Sequence, residues 1–161
     1  MVPFEYAVRQ HSATVLRVCR AVLGPGPDAD DAHSETFLAA LRSWPDLPAD
    51  TNVEAWLVRV AHRKAIDITR TRTRHAVPTD NLPEHATVPT DADAELWEAV
   101  GELPERQRLA VAYHYLGGLP HQETADLIGS NSAAVRRAAS DGIKTLRRTL
   151  IEGHPQKAAK R

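Results

Sequence analysis

A single cysteine, Cys19, excludes an internal disulfide and any cysteine-built metal cluster; it sits in an apolar helical pattern and reads as a small buried hydrophobe. Aromatic residues make up only 5% of the chain and glycine only 8 of 161 residues, which argues against the aromatic, turn-punctuated strands of a sandwich or barrel. No run approaches the roughly 20 apolar residues of a membrane span. Met1 to Val8 lacks the basic-then-apolar pattern of a secretory leader, so a cytoplasmic protein is expected. The 8 histidines are scattered. None falls in a metal-ligand or triad spacing such as His-Glu-x-x-His, and His121 and Glu123 are only two positions apart. Neither catalysis nor a metal or other cofactor is expected, and no small-molecule substrate.

Ala, Leu, Arg and Glu dominate the periodic stretches, and an all-α class follows. The formal net charge of -1 hides segregation along the chain. Ala76 to Glu95 carries Asp80, Glu84, Asp91, Asp93 and Glu95 with no Lys or Arg, whereas Arg59 to Arg74 carries six basic residues against Asp67 alone. A near-neutral chain can therefore still present a basic face.

Phe4 to Leu23 places Val8, Val15, Leu16, Cys19 and Val22 at helical spacing, and Gly24-Pro25-Gly26-Pro27 ends that helix. Asp28 is suited to cap a second helix reaching about Trp44, stopped by Pro45 and Pro48. A third is predicted from about Asn52 to Arg74, with Leu57, Val60, Ala61 and Ile68 on one side. Its Arg59, Arg63, Arg70 and Arg74 lie nearly opposite, counting ~100° per residue. From His75 to Asp91, Pro78, Pro83 and Pro89 interrupt any apolar period, so an acidic, flexible linker is expected to divide two domains. Further helices are predicted at about Ala92 to Gly101, Pro104 to Leu116, His121 to Ile128 and Ser132 to Leu150, with a frayed tail from Gly153.

The pair of helices flanking Gly129 reads as a helix-turn-helix. Ala125, Leu127 and Ile128 can pack on Val135 and Ala139, and Gly129 permits the sharp turn. In the last helix Val135, Ala139, Ile143, Leu146 and Leu150 share one side, while Arg137, Ser140, Lys144, Arg147 and Arg148 occupy the other. Such a face can meet phosphates and base edges, yet an ordinary bundle helix with a solvated basic face carries the same pattern.

Three segments carry a family resemblance. Asp28-Ala29-Asp30-Asp31-x-x-x-Glu35-Thr36-Phe37-Leu38 resembles the polymerase-binding helix of extracytoplasmic-function sigma factors, a branch of the sigma-70 family. Trp56-Leu57-x-Arg59-Val60-Ala61-x-x-x-Ala65-Ile66-Asp67-x-x-Arg70 resembles their -10 promoter helix, and Leu103-Pro104-Glu105-Arg106-Gln107-Arg108 through Arg148 resembles region 4. The resemblance implies two small helical domains, a three-helix-type region 2 bundle over residues 1–75 and a region 4 helix-turn-helix over 92–152, with a linker at 76–91 and a tail at 153–161. It implies a factor that directs core RNA polymerase to promoters and assists melting at the -10 element. Its partners would be the clamp and flap of the largest polymerase subunits and promoter DNA, with an anti-sigma protein as a partner common in the family.

Carried over by position, the resemblance makes Asp28, Asp31, Glu35 and Phe37 candidates for polymerase binding. Arg59, Arg63, Lys64, Arg70, Arg72 and Arg74 are candidates for the -10 element, with the loop from Pro45 to Val53 receiving an unstacked base. Arg136, Arg137, Ser140, Lys144, Arg147 and Arg148 are candidates for the -35 element. Trp56, Leu57 and Ile66 read as core. Ser34 stands where the family usually has Gln, and His62-Arg63 where it usually has Arg-Asn. Ala134 and Ala138 replace residues that contact phosphate, and Asp141 stands where a basic residue is common. These departures predict -35 contacts weaker than -10 contacts, and leave open a sigma-like regulator with degenerate -35 recognition. A free-standing helix-turn-helix repressor needs a self-complementary dimer face, and none is evident.

Overall fold

A computed structural model describes residues 2–74 and 91–159, with side chains at 2–74 and 93–152. The expected linker stretch from His75 to Thr90 lies outside the described residues. Helix α1 spans Phe4–Leu23 as its periodicity predicts. It stops at Gly24, whose φ of 86° leaves the right-handed region while its N–H still reaches the Arg20 carbonyl at 2.8 Å.

Helix α2 spans Pro27–Ser43 and corrects the expected cap. Pro27 has φ pre-set for a first helical position, so Gly26 becomes the N-cap and Asp28 falls inside the first turn. A short 3-10 turn, Trp44–Asp46, follows. Helix α3 spans Val53–Arg74, and the Asn52 side-chain oxygen accepts the Ala55 N–H at 3.1 Å.

These three helices share a core of Val15, Cys19, Ala29, Ala32, Ala40, Leu57 and Ala61. The alanines let α2 lie close to its neighbours, and the buried Thr36 hydroxyl donates to the Ala32 carbonyl at 2.6 Å, so it leaves no orphan in that core. Burial pushes the Cys19 thiol up to about 12, consistent with the small hydrophobe its position predicts.

The second unit comprises α4 (Asp91–Glu102), α5 (Glu105–Ala110), a π-helical turn at Val111–Leu116, α6 (His121–Ile128) and α7 (Ser132–Ala159). Trp97, Val100, Leu103, Val111, Ala112 and Leu146 build one core, and Ala110, Ala125, Val135 and Ala139 another beneath the helix-turn-helix. The frayed tail predicted from Gly153 is corrected, since α7 continues in backbone to Ala159. The backbone stays helical through Gly153 and Pro155 although both residue types have low helix propensity, because elongating a formed helix avoids the cost of a new nucleus.

The two units pack against each other through α1 and α3. Val18, Ala55 and Val58 from the first unit bury Tyr113 and Leu119 from the second, and Ala21 joins the Trp97 core. At Gly117 a Cβ would lie 2.9 Å from the Tyr113 carbonyl of its own turn, 3.0 Å from Val58 Cγ1 and 3.3 Å from Val18 Cγ2, so both the turn and the junction favour glycine there. Full burial of a side chain such as Leu119 is worth about 1.5–3 kcal/mol, against about 0.2–1 kcal/mol for an exposed ion pair. Apolar contact therefore holds this junction, and the Arg59–Glu123 ion pair at its rim adds little. No described helix is long and apolar enough to cross a membrane.

Candidate nucleic-acid interface

The basic side of α3 is not uniformly free. Arg63, Arg70 and Arg74 are exposed. Arg59 is 40% exposed and its Nη1 donates to Glu123 Oε2 of α6 at 3.3 Å. Arg72 pairs with Asp28 of α2. The face drawn from helical spacing alone is thus split, with one end against the helix-turn-helix and the other against the acidic start of α2.

A cleft of about 690 Å³ runs between α2 and α3, lined by Asp28, Asp31, Glu35, Lys64, Asp67 and Arg72 among others. It brings three of the four candidate polymerase residues beside two candidate -10 residues. Asp31 and Glu35 are exposed, while Phe37 is half-buried with its ring edge-on to His33 at 5.1 Å. Sequence reasoning missed the apolar exposure beside them: Leu38 and Leu41 stand 49% and 51% exposed on α2. Leu38 lay within the quoted motif, and an apolar residue next to acids on a helix face was the available signal.

Between α3 and the second unit lies His62, only 8% exposed. Its Nδ1 lies 2.6 Å from the Tyr113 hydroxyl, with the rings edge-on at 5.0 Å. The Leu127 carbonyl favours a proton on the ring, but desolvation dominates and holds the imidazole below its ordinary range, with the Arg63 charge adding to it. A neutral ring that accepts from the Tyr113 O–H and directs its remaining N–H at Leu127 satisfies all of these groups.

Leu57 is fully buried, as expected, and Trp56 is half-buried, 6.4 Å from Trp44 across a tilted aromatic contact. Ile66 is a correction, because it lines a cavity between the two units rather than the core of the first. Only the helix face toward α1 and α2 enters that core, and Ile66 lies off it.

The helix-turn-helix is built as the sequence predicts. Gly129 closes α6 at φ 69°, in the left-handed region, with its N–H on the Ala125 carbonyl. Asn131, a cap the sequence reading did not single out, accepts the Ala134 N–H on its side chain at 2.9 Å. With Val135 and Ala139 buried, Arg136, Arg137, Ser140, Lys144, Arg147 and Arg148 are all exposed along α7. Asp141 is exposed on the same helix. Among the described residues, no three His, Cys, Asp or Glu side chains converge as a metal site would require.

The sequence matches the family described as Sigma-70 region 2 over residues 7–75, and Sigma-70 region 4 over residues 93–146. It is 30% identical over 152 residues to the ECF RNA polymerase sigma factor BldN of Streptomyces coelicolor, an alignment covering 88% of this chain and 58% of that protein. It is 29% identical to the ECF RNA polymerase sigma factor SigE of Mycolicibacterium smegmatis, covering 94% of this chain and 63% of that one. The chain thus spans about three fifths of the length of these two relatives. With the ECF RNA polymerase sigma factor ShbA of Streptomyces griseus it shares 32% identity over 82% of its own length and 79% of the relative's.

In fold it is similar to the sigma factor RpoE of Bartonella quintana, solved in complex with the anti-sigma factor NepR (TM-score 0.73, 17% identity, 91% of this chain and 96% of that one). It is also similar to CnrH, solved in complex with the cytosolic domain of CnrY (TM-score 0.62, 22% identity, 94% and 88% covered). With both sigma regions matched in order and a relative covered over most of its length, the chain belongs to the extracytoplasmic-function branch of the sigma-70 family of RNA polymerase sigma factors.

Proposed function

We propose that this chain directs core RNA polymerase to promoters and assists strand opening at the -10 element. The observation that carries the reading is the co-occurrence, in one chain, of an exposed acidic and apolar α2 face and two basic helices, α3 and α7, on separately cored units. Residues 1–75 serve as region 2 and 92–152 as region 4, with 76–91 joining them. Asp31, Glu35 and Phe37, with Leu38 and Leu41 beside them, dock on the polymerase clamp. Asp28 acts less directly, through its pair with Arg72.

Arg63, Arg70 and Arg74 hold the -10 strand by phosphate contacts, and Arg59, Lys64 and Arg72 contribute once freed from their acidic neighbours. Arg136, Arg137, Ser140, Lys144, Arg147 and Arg148 read the -35 duplex, weakened by Ala134, Ala138 and Asp141. The polymerase makes the phosphodiester bonds, and this chain contributes positioning rather than catalysis. It works in the cytoplasm, where the polymerase is, and an anti-sigma protein is the class of regulator that fits it.

Co-purification tests the first step. The full chain should bind core enzyme, and Glu35→Lys should weaken that binding. If the intact chain fails to bind core and Glu35→Lys behaves as wild type, the docking assignment is wrong.

A further inference from the structure

A cavity of about 320 Å³ lies against α3 where α1, α5 and α6 meet it, and the space itself has no part in the function proposed above. Its walls are mainly apolar, with Val22, Ile66, Leu109, Leu127 and Ile128 contributing most of them. The volume is about ten times the ~30 Å³ share of a water molecule in the liquid, at the small end of the roughly 300–1,000 Å³ range of ligand pockets. Apolar walls give water few partners, so water alone fills such a space poorly.

The polar groups around the cavity decide what would fit better. Tyr113 donates its hydroxyl proton to His62 Nδ1 at 2.6 Å, and the remaining N–H of that ring is directed at the Leu127 carbonyl. The Thr69 hydroxyl donates to the Ala65 carbonyl at 2.9 Å. Arg108 donates from Nη1 to the Val22 carbonyl at 2.8 Å, which leaves its buried Nε without a partner. Arg70 lines the cavity too, is exposed, and pairs with no acid among the described residues. Glu105, also exposed, is the one carboxylate of the lining against these two guanidinium groups.

The unspent groups of the interior are therefore donors. An arginine cannot shed its proton to relieve the deficit, and a buried donor left unmatched is costly. A carboxylate supplies the missing acceptor through a charge-assisted bond, roughly twice as strong as one to a neutral group.

We propose that this cavity is a binding site for a small amphipathic carboxylate, with its oxygens on Arg108 and its apolar body against Ile66, Leu109 and Leu127. Arg70 adds a second positive charge to the lining. A neutral molecule of the same shape would cover the walls but lose the charge-assisted bond. A cation would meet two guanidinium groups against one carboxylate, and a bare inorganic anion would leave the apolar walls uncovered. The class set by these walls is one acidic group on an apolar body, about ten non-hydrogen atoms in all.

Methyl NMR of the full chain, titrated with phenylacetate and with octanoate, tests the site without reference to transcription. At least one should saturate with a dissociation constant of about 1 mM or tighter, as about ten well-packed atoms allow. The signals that move should be those of Ile66, Leu109, Leu127 and Ile128. Phenylacetamide and octanamide keep the shape without the charge, and should bind about tenfold more weakly or worse. Arg108→Lys keeps the charge but removes Nε–H, and should weaken the carboxylate by about tenfold while leaving the amide little changed. Ile66→Trp fills the space and should abolish binding. Should that variant lose its helical circular dichroism, Thr69→Trp, at an exposed position of the lining, provides the block instead.

Saturation by neither carboxylate up to about 20 mM overturns the site. So do shifts confined to residues away from the cavity, or binding that both tryptophan variants leave untouched. Equal affinity for acid and amide, or full affinity in Arg108→Lys, overturns the carboxylate assignment.

Discussion

The two basic helices differ in what surrounds their charge. Of the six candidate cations on α3, Arg59 is tied to Glu123 and Arg72 to Asp28, and Lys64 lines the acidic cleft with α2. On α7 the candidate -35 residues all face solvent, yet Asp141 shares their helix and Ala134 and Ala138 replace two expected contacts. The first helix is rich in cations and partly covered, while the second is open and dilute. Charge counted along a sequence is therefore not charge available to DNA.

Removing the uncovered cations of α3 should produce the largest effect. Arg63→Ala with Arg70→Ala should cripple open-complex formation and lower the slope of log affinity against log salt by about 1.4, at ~0.7 per phosphate contact on single strands. Arg137→Ala should be milder, a uniform few-fold loss with a slope change of ~0.9 on duplex. A greater loss from Arg137→Ala on the same promoter would invert the comparison. Asp141→Arg should strengthen duplex binding and steepen the salt dependence, and weaker binding would show that Asp141 accepts from a base instead of repelling a phosphate.

Acidification sharpens the comparison from the side of the cover. The packed junction lowers the affinity of His62 for a proton relative to the ordinary 6.5, chiefly through desolvation. The neutral ring therefore favours packing fully above that value, and the contribution fades as pH falls below it toward the lowered value of the packed form. Between pH 7.5 and 5.5 the radius of gyration should increase, and His62→Gln should flatten the response. His33 is also shifted downward, first by desolvation, but it bonds Ser12 within the first unit and does not bridge the junction. A response that persists unchanged in His62→Gln would assign the effect elsewhere.

The smallest effect belongs to the exposed pair at the other end of α3. Asp28→Asn should alter stability by under about 1 kcal/mol, because Arg72 and Asp28 meet in solvent. It should free Arg72 for DNA and slightly raise single-strand affinity.

Much of this was legible before the fold was seen, and the reasons are local. Phe4–Leu23 and His121–Ile128 were readable to the residue, because a Gly-Pro run ends the one and Pro120 and Gly129 bracket the other. The helix-turn-helix core was legible because a period near 3.6 separates a packed face from a solvated one. Asp28 was misassigned as a cap because Pro27 starts the helix earlier, a competition between two local signals.

The junction was not legible. Val18 and Val58 were not among the positions the helical period singled out, and periodicity cannot say whether an apolar stripe meets its own unit or another. His62 read as one of 8 scattered histidines and as a departure from the family pattern, with nothing to mark it as buried. Its burial depends on Tyr113, fifty-one positions away, which only tertiary packing brings near. The crowding at Gly117, between its own turn and the side chains of Val58 and Val18, has no one-dimensional signature.

Run-off transcription on a genomic promoter library with purified core polymerase tests the central claim most directly. The full chain should yield discrete transcripts that core alone does not make. Arg63→Ala with Arg70→Ala should lose them while still co-purifying with core. Transcription by core that is unchanged when the intact, core-bound chain is added would contradict the account.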